Sequence, residues 1–212
     1  MNEPFAHDRD LLVLEPALLR DVGWAGQRVL DTTGSITGTT LTLASGSLAD
    51  AGVGAGSVVL VDGLALEVVA ILTPTTATVS LLRARRDGPE VAPPAATNRA
   101  VRVYSFGPQL HLVHRQVLAM AGIDPDGAGP LDQSAITNPG ALVRLEALGA
   151  LHLIYAGASA PGSAAAGLAD RAAMYRERFG AERGRVAVLV DLDADGIAEA
   201  RRSLSIIQWI RA

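Results

Sequence analysis

The chain has 212 residues, a formal net charge of −4 and no cysteine, which allows one good core plus a smaller satellite module and excludes disulfides, thiol nucleophiles and Cys-based zinc sites. All 18 basic residues are arginine, so neither a Schiff-base lysine nor a Walker-type phosphate loop is available. Hydrophobic residues make up 49% but aromatic residues only 4%, and the negative net charge gives no global drive toward nucleic acid.

From Asp10 to Trp24 the sequence DLLVLEPALLRDVGW predicts a short helix opened at Glu15 and Pro16 and ended near Gly23. At Gln27 the texture changes to Thr, Val, Leu and Gly, and six strands are predicted at residues 27–32, 39–44, 57–61, 64–72, 76–82 and 101–106. Gly34, Gly38, Gly46 and Gly63 are read as turn glycines between them. Short strands at this spacing suggest a small barrel or folded meander. The run RARRDGPEVAPPAATNR, from Arg83 to Arg99, carries three prolines and several charges and is expected to be an exposed excursion.

After Gly107 the apolar period becomes helical, with Leu110, Val113, Val117 and Ala121 on one face before Gly122. Asn138 and Pro139 predict an N-cap and N1 pair for a helix carrying Leu142, Leu145, Leu148, Leu151 and Tyr155 to about Ala158. Following the connection SAPGSAAAG, Leu168, Ala172, Tyr175 and Phe179 mark another helix, closed at Gly180. Residues 186–190 are an apolar run too short for a helix, and a last helix is predicted from Asp195 to the C-terminus through Ile197, Ala200, Leu204, Ile207 and Arg211. The expected fold is therefore α+β: a small helical bundle (1–26 and 107–212) with an inserted β-rich, barrel-like module (27–106). No stretch approaches the ~20 consecutive apolar residues of a membrane span. The opening MNEPFAHDRD has no basic or apolar leader pattern, so a soluble product made in the cytoplasm is expected.

The most motif-like segment is DLDADG, where Asp191, Asp193, Asp195 and Gly196 match the opening of a Ca²⁺ loop, with Glu199 at its ninth position. The twelfth position needs a bidentate carboxylate but holds Arg202, so the full motif fails. The favoured alternative is an Asp-rich turn in which Asp195 caps the final helix. His111 and His114 lie three apart on a predicted helix, with His152 a conceivable third metal ligand, but HLVH lacks the glutamate and spacing of a zinc motif and the residues read as polar-face or interface histidines. Gly52, Gly54 and Gly56 precede a strand and are better read as turn glycines than as a dinucleotide loop. No GxSxG elbow occurs, and Ser159 sits in a connection. No enzyme signature or cofactor motif stands out.

Three stretches, in order, carry a family resemblance: DLLVLEPALLRDVGW running into the β-rich segment; FGPQLHLVHRQVLAMAGI followed by ITNPGALVRLEALGALHLIYAGAS; and GLADRAAMYRERFGAERGRVAVLVDLDADGIAEARRS with its YRxxF pattern. Together the chain resembles the head-to-tail connector (adaptor, or neck) proteins of tailed bacteriophages. The resemblance implies a structural virion protein without enzymatic activity or cofactor, made in the host cytoplasm and located in the neck between capsid and tail. It implies a homo-oligomeric ring, a dodecamer in that family, that binds beneath the portal protein, extends the channel through which genomic DNA passes without specific binding, and docks other neck or tail proteins. By this reading Arg201, Arg202, Ile206, Ile207, Trp209, Ile210 and Arg211 are candidates for the portal contact, because IIQWI is an apolar anchor flanked by arginines; an ordinary core helix is the alternative. The β module and the 83–99 excursion would face ring neighbours or the next ring. Two other functions stay open: a tail-completion or stopper protein of the same particle, and a small hydrolase or Ca²⁺-dependent binding module using Asp191, Asp193 and Asp195.

Overall fold

Val59 and Val61, Leu66 and Val68, Ala77 and Val79, and Val101 and Val103 recur at every second position and are all buried, as strands with one face turned inward require. In a computed structural model, which describes residues 3–127, 129–159 and 167–204, they line a closed six-stranded antiparallel barrel. Its strands are β1 (Gln27–Thr37), β2 (Thr40–Leu43), β3 (Val58–Val61), β4 (Leu64–Thr73), β5 (Thr76–Leu81) and β6 (Ala96–Ser105), in the order β1-β2-β5-β4-β3-β6. Closure leaves no unpaired edge strand. Register shifts between Arg28 and Leu30 and between Gly34 and Ile36 on β1, and between Val68 and Ala70 on β4, supply the bends. All six predicted strands form.

Two of them are longer than the turn signals suggested. Gly34, read as a turn residue, lies inside β1 and pairs with Leu43 and Arg99; a side chain there would come within 2.8 Å of the Thr42 carbonyl and 3.0 Å of Val101. The glycine is needed for close approach, and the turn falls at Gly38. β6 starts at Ala96, inside the segment expected to be an excursion.

Two units emerge, His7–Phe106 and Met1–Ala6 with Gly107–Ala212. Residues 7–26, assigned from the sequence to the helical body, therefore fold with the barrel. They form α1 (Asp8–Leu14) and α2 (Leu18–Val22). α2 is closed by Gly23, where the helix read from Glu15 and Pro16 is expected to end; α1 is an additional helix ahead of it, whose first turn carries Asp10, with Oδ2 accepting the His7 N–H at 2.8 Å.

The other unit holds α3 (Gly107–Met120), α4 (Val143–Ala158), α5 (Leu168–Arg183) and a two-stranded ribbon of β7 (Ala187–Val190) and β8 (Ala200–Ser203). Val113, Val117, Leu118, Leu142, Leu145, Val188, Val190 and Leu204 share one core. Asn138 and Pro139 do stand at the N-cap and N1 positions, but of a 3-10 turn (Pro139–Ala141) that leads into α4, and the Asn138 side chain makes no capping bond: its amide donates to Ala187 O (2.9 Å) and accepts from Leu189 N–H (2.8 Å). Two further expectations are corrected. α5 runs through Gly180 to Arg183. Asp195 caps no helix, since residues 200–203 pair as β8 against β7, with Val188 opposite Arg202; strand pairing overrides the helical spacing of Ile197, Ala200 and Leu204. The predicted continuation through Ile207 and Arg211 lies outside the described residues.

Pro139–Ala158 is long and apolar enough by composition to cross a membrane, yet 61% of that window is buried inside the protein, as in a core helix. Its tightest point is Gly149, where an added Cβ would lie 2.7 Å from Val113 Cγ1 and 3.0 Å from the Phe179 ring. Gly149→Leu is expected to destabilise the protein by about 1–3 kcal/mol through overpacking. Gly157→Ala, with nothing within 4 Å of the new methyl, is expected to stabilise it by up to ~1 kcal/mol. Urea denaturation of both variants checks the contrast.

Candidate functional site

Glu67 sits between Leu66 and Val68, whose side chains fill the barrel, so strand alternation points it to the outer wall. It is nevertheless 0% exposed. Arg9 Nε from α1 donates to Glu67 Oε2, and Arg83 Nε donates to Oε1. The pairing extends outward: Arg9 Nη1 donates to Asp10 Oδ1 at 2.9 Å and Arg9 Nη2 to the Arg83 carbonyl, while Arg86 Nη2 donates to Asp10 Oδ2. Arg83 Nη1 also reaches Gly88 O at 2.5 Å. Charge-assisted bonds of this kind are the strong class, and a buried carboxylate without them would be costly.

A pocket of about 130 Å³ opens beside this network, lined by His7, Arg9, Ala55, Gly56, Val68, Val69, Arg83 and Arg86. Gly56 has φ +86° and would clash with the His7 ring if it carried a side chain, so the turn read from the sequence also seats the histidine. Arg9 N–H donates to Gly56 O at 3.0 Å. The sequence hinted at this site only through the charges of RARR: a lone glutamate in a strand reads as solvated, and nothing local brings residues 9, 67 and 83 together.

Nearby, Asp8 accepts the Phe106 N–H at 2.8 Å. Burial pushes its carboxyl up to about 6 from the ordinary 3.8, against the lowering effect of the bonds from Phe106 and Ser105 and with a small further rise from Asp10.

The residues singled out by sequence fall into three places in the other unit. Asp191, Asp193, Asp195 and Glu199 do converge, with one ligand atom of each within 4.8 Å of the others. Asp191 organises the turn: Oδ1 accepts Ala194 N–H at 2.7 Å and Oδ2 accepts Gly196 N–H at 2.7 Å. Burial opposes its ionisation, but backbone donors from Gly196, Ala194, Asp193 and Asp195 outweigh burial and hold the carboxyl below its usual range. Glu199 Oε2 accepts Leu192 N–H at 2.6 Å. No exiting helix follows, because β8 does.

The histidines do not converge on a metal. His114 is fully buried rather than on a polar face, with Nδ1 2.7 Å from Glu146 Oε1 and Nε2 3.1 Å from Gln133 Oε1. Glu146 Oε2 in turn accepts Ala6 N–H at 2.9 Å. His152 Nδ1 faces Ala172 O at 3.0 Å. Of the portal-contact candidates, Arg201 is exposed. Arg202 Nη1 donates to Ala121 O at 2.6 Å and Gly122 O at 3.0 Å, a cation closing the C-terminal end of α3. Ile206, Ile207, Trp209, Ile210 and Arg211 lie outside the described residues. Comparison with family models, curated proteins and solved structures finds no match.

Asp8 makes stability depend on pH in a defined direction. Between pH 4 and 6 the folded chain keeps a proton that the unfolded chain releases, so this group lowers stability as pH rises and levels off above about 6, a contribution on the order of 3 kcal/mol. Asp8→Asn, which keeps an acceptor for Phe106, is expected to gain stability relative to wild type across that interval. Denaturation at pH 4, 5, 6 and 7 checks it, and parallel wild-type and variant curves would contradict it.

Proposed function

We propose that this chain is a structural virion protein of a tailed bacteriophage, forming a ring beneath the portal that extends the DNA channel and docks the tail or the next neck component. What supports this reading most is chain order: a barrel inserted between residue 6 and residue 107 of a helical unit, in the sequence context that resembles such connectors. The way charge is used agrees with it. Glu67 and Glu146 are spent on internal pairs rather than gathered with a nucleophile around an open cleft. Trp24 and Leu72 in one unit, and Leu112 and Ile197 in the other, are large apolar side chains left exposed, suitable as anchors for neighbouring copies. A stopper or tail-completion protein of the same particle differs from this in order of assembly.

The test is native mass spectrometry and negative-stain imaging of the purified chain with and without the portal protein. A closed ring that joins the portal is expected. A chain that stays monomeric with portal present and is missing from purified particles would rule the assignment out. Removing residues 205–212 is expected to leave a folded chain that no longer joins the portal; an unfolded product assigns that segment to the core.

A second reading, a Ca²⁺-dependent module, rests on the convergence of Asp191, Asp193, Asp195 and Glu199. Calorimetric titration separates the two. A purely structural turn gives no saturable heat at millimolar calcium, whereas a binding loop gives saturable heat that Asp195→Asn removes.

A further inference from the structure

We propose that the pocket on the outer wall of the barrel binds a small oxyanion of the phosphate class. Its lining contains three guanidinium groups and an imidazole, from Arg9, Arg83, Arg86 and His7, and no carboxylate. The acidic partners of those arginines, Glu67 and Asp10, stand outside the lining, so the wall that a ligand meets is cationic, a surface that a small anion complements. Asp8, beside Asp10, also lies outside the lining and is taken up by Phe106 N–H.

The cations are preorganised. The Arg9 and Arg83 side chains are only 5% and 8% exposed, and each is fixed by its Nε bond to a different oxygen of Glu67. Arg83 uses Nε on Glu67 and Nη1 on Gly88 O, while its Nη2 has no partner among the described residues. That leaves a further N–H donor on a side chain that lines the pocket and is already held by two bonds, and a donor held in place loses little entropy when it binds. A space of about 130 Å³ holds a few waters, each of ~30 Å³ in the liquid, or one small oxyanion in their place. Gly56 bars nothing with a side chain of its own, and Val68 supplies an apolar wall. Arginine forks recognise tetrahedral and planar oxyanions through paired N–H donors. The same chemistry serves free phosphate or a phosphate group of a nucleic acid.

The experiment is ³¹P NMR and thermal-shift titration of the full chain with inorganic phosphate, against chloride at matched ionic strength. Saturable line broadening and a saturable rise in Tm are expected. Arg86→Gln, at a half-exposed position whose loss leaves the Glu67 clamp intact, is expected to weaken phosphate binding at least tenfold while circular dichroism stays unchanged. Arg83→Gln gives a second reading wherever it remains folded. A short DNA duplex added at saturating phosphate identifies the source: competition assigns the site to a nucleic-acid phosphate, and no competition assigns it to the free anion. No saturable effect of phosphate on wild type, or unaltered phosphate binding in folded Arg86→Gln, overturns the proposal.

Discussion

The barrel unit depends on a carboxylate that water does not reach. Glu67 projects from the outer wall of β4, where alternation would leave it solvated, and Arg9 and Arg83 each take one of its oxygens in place of water. Removing either arginine would strand a buried charge, a loss of about 3–5 kcal/mol for pairs of this kind. The clamp therefore couples three distant stretches of chain. α1 must lie on the wall to deliver Arg9, the segment after β5 must fold back to deliver Arg83, and Ser80, directly opposite Glu67 in register, holds that segment by accepting Val91 N–H at 2.8 Å. A hydrophobic residue at position 67 would pack without specifying which strand neighbour comes to cover it; a carboxylate accepts only guanidinium groups in a defined geometry.

The helical unit uses the same device with a different partner. Glu146, on α4, faces His114 on α3 through one oxygen and the backbone of Ala6 through the other. Gln133 bridges onward from His114 Nε2 to Glu3 O, and Phe5 sets its ring edge-on to the imidazole at 4.9 Å. The segment at residues 3–6 is thus held by hydrogen bonds to a buried pair rather than by apolar burial alone. Elsewhere in this unit aromatic stacking does the joining: Tyr155 and Tyr175 lie parallel at 5.7 Å, with Arg171 donating to the Tyr155 hydroxyl at 3.0 Å.

A small set of charges in this protein is turned inward and paired. An Arg-only, acidic chain would ordinarily carry its ions on a solvated surface, yet here the arginines nearest the N-terminus and after β5 organise the wall of the barrel, and Arg202 closes the end of α3. The Asp-rich turn follows the same pattern, its carboxylates accepting the N–H groups of the loop that contains them. Side chains so occupied favour a rigid, fixed loop.

The strands and the main helices were legible in the sequence because their signals are local. Period-two apolar positions in β3, β4 and β5 and the helical period in α3, α4 and α5 each lie within one segment, and the Asp62–Gly63 turn between β3 and β4 carries its own positive-φ residues. What tertiary structure alone decided was pairing across distance. Asn138 takes the N-cap position its local marks suggest, but its amide bonds β7, about 50 residues on, instead of the helix start; residues 200–203 have helical spacing, yet β7 offers them a ladder. Gly34 carries a turn residue's identity, and the closeness of β2 and β6 makes it a contact glycine. Glu67 is the clearest case. Its position in a strand told where the side chain would point, while its burial came from residues 9 and 83, whose approach no periodicity around residue 67 encodes, because the free energy of an ion pair belongs to two places in the chain at once.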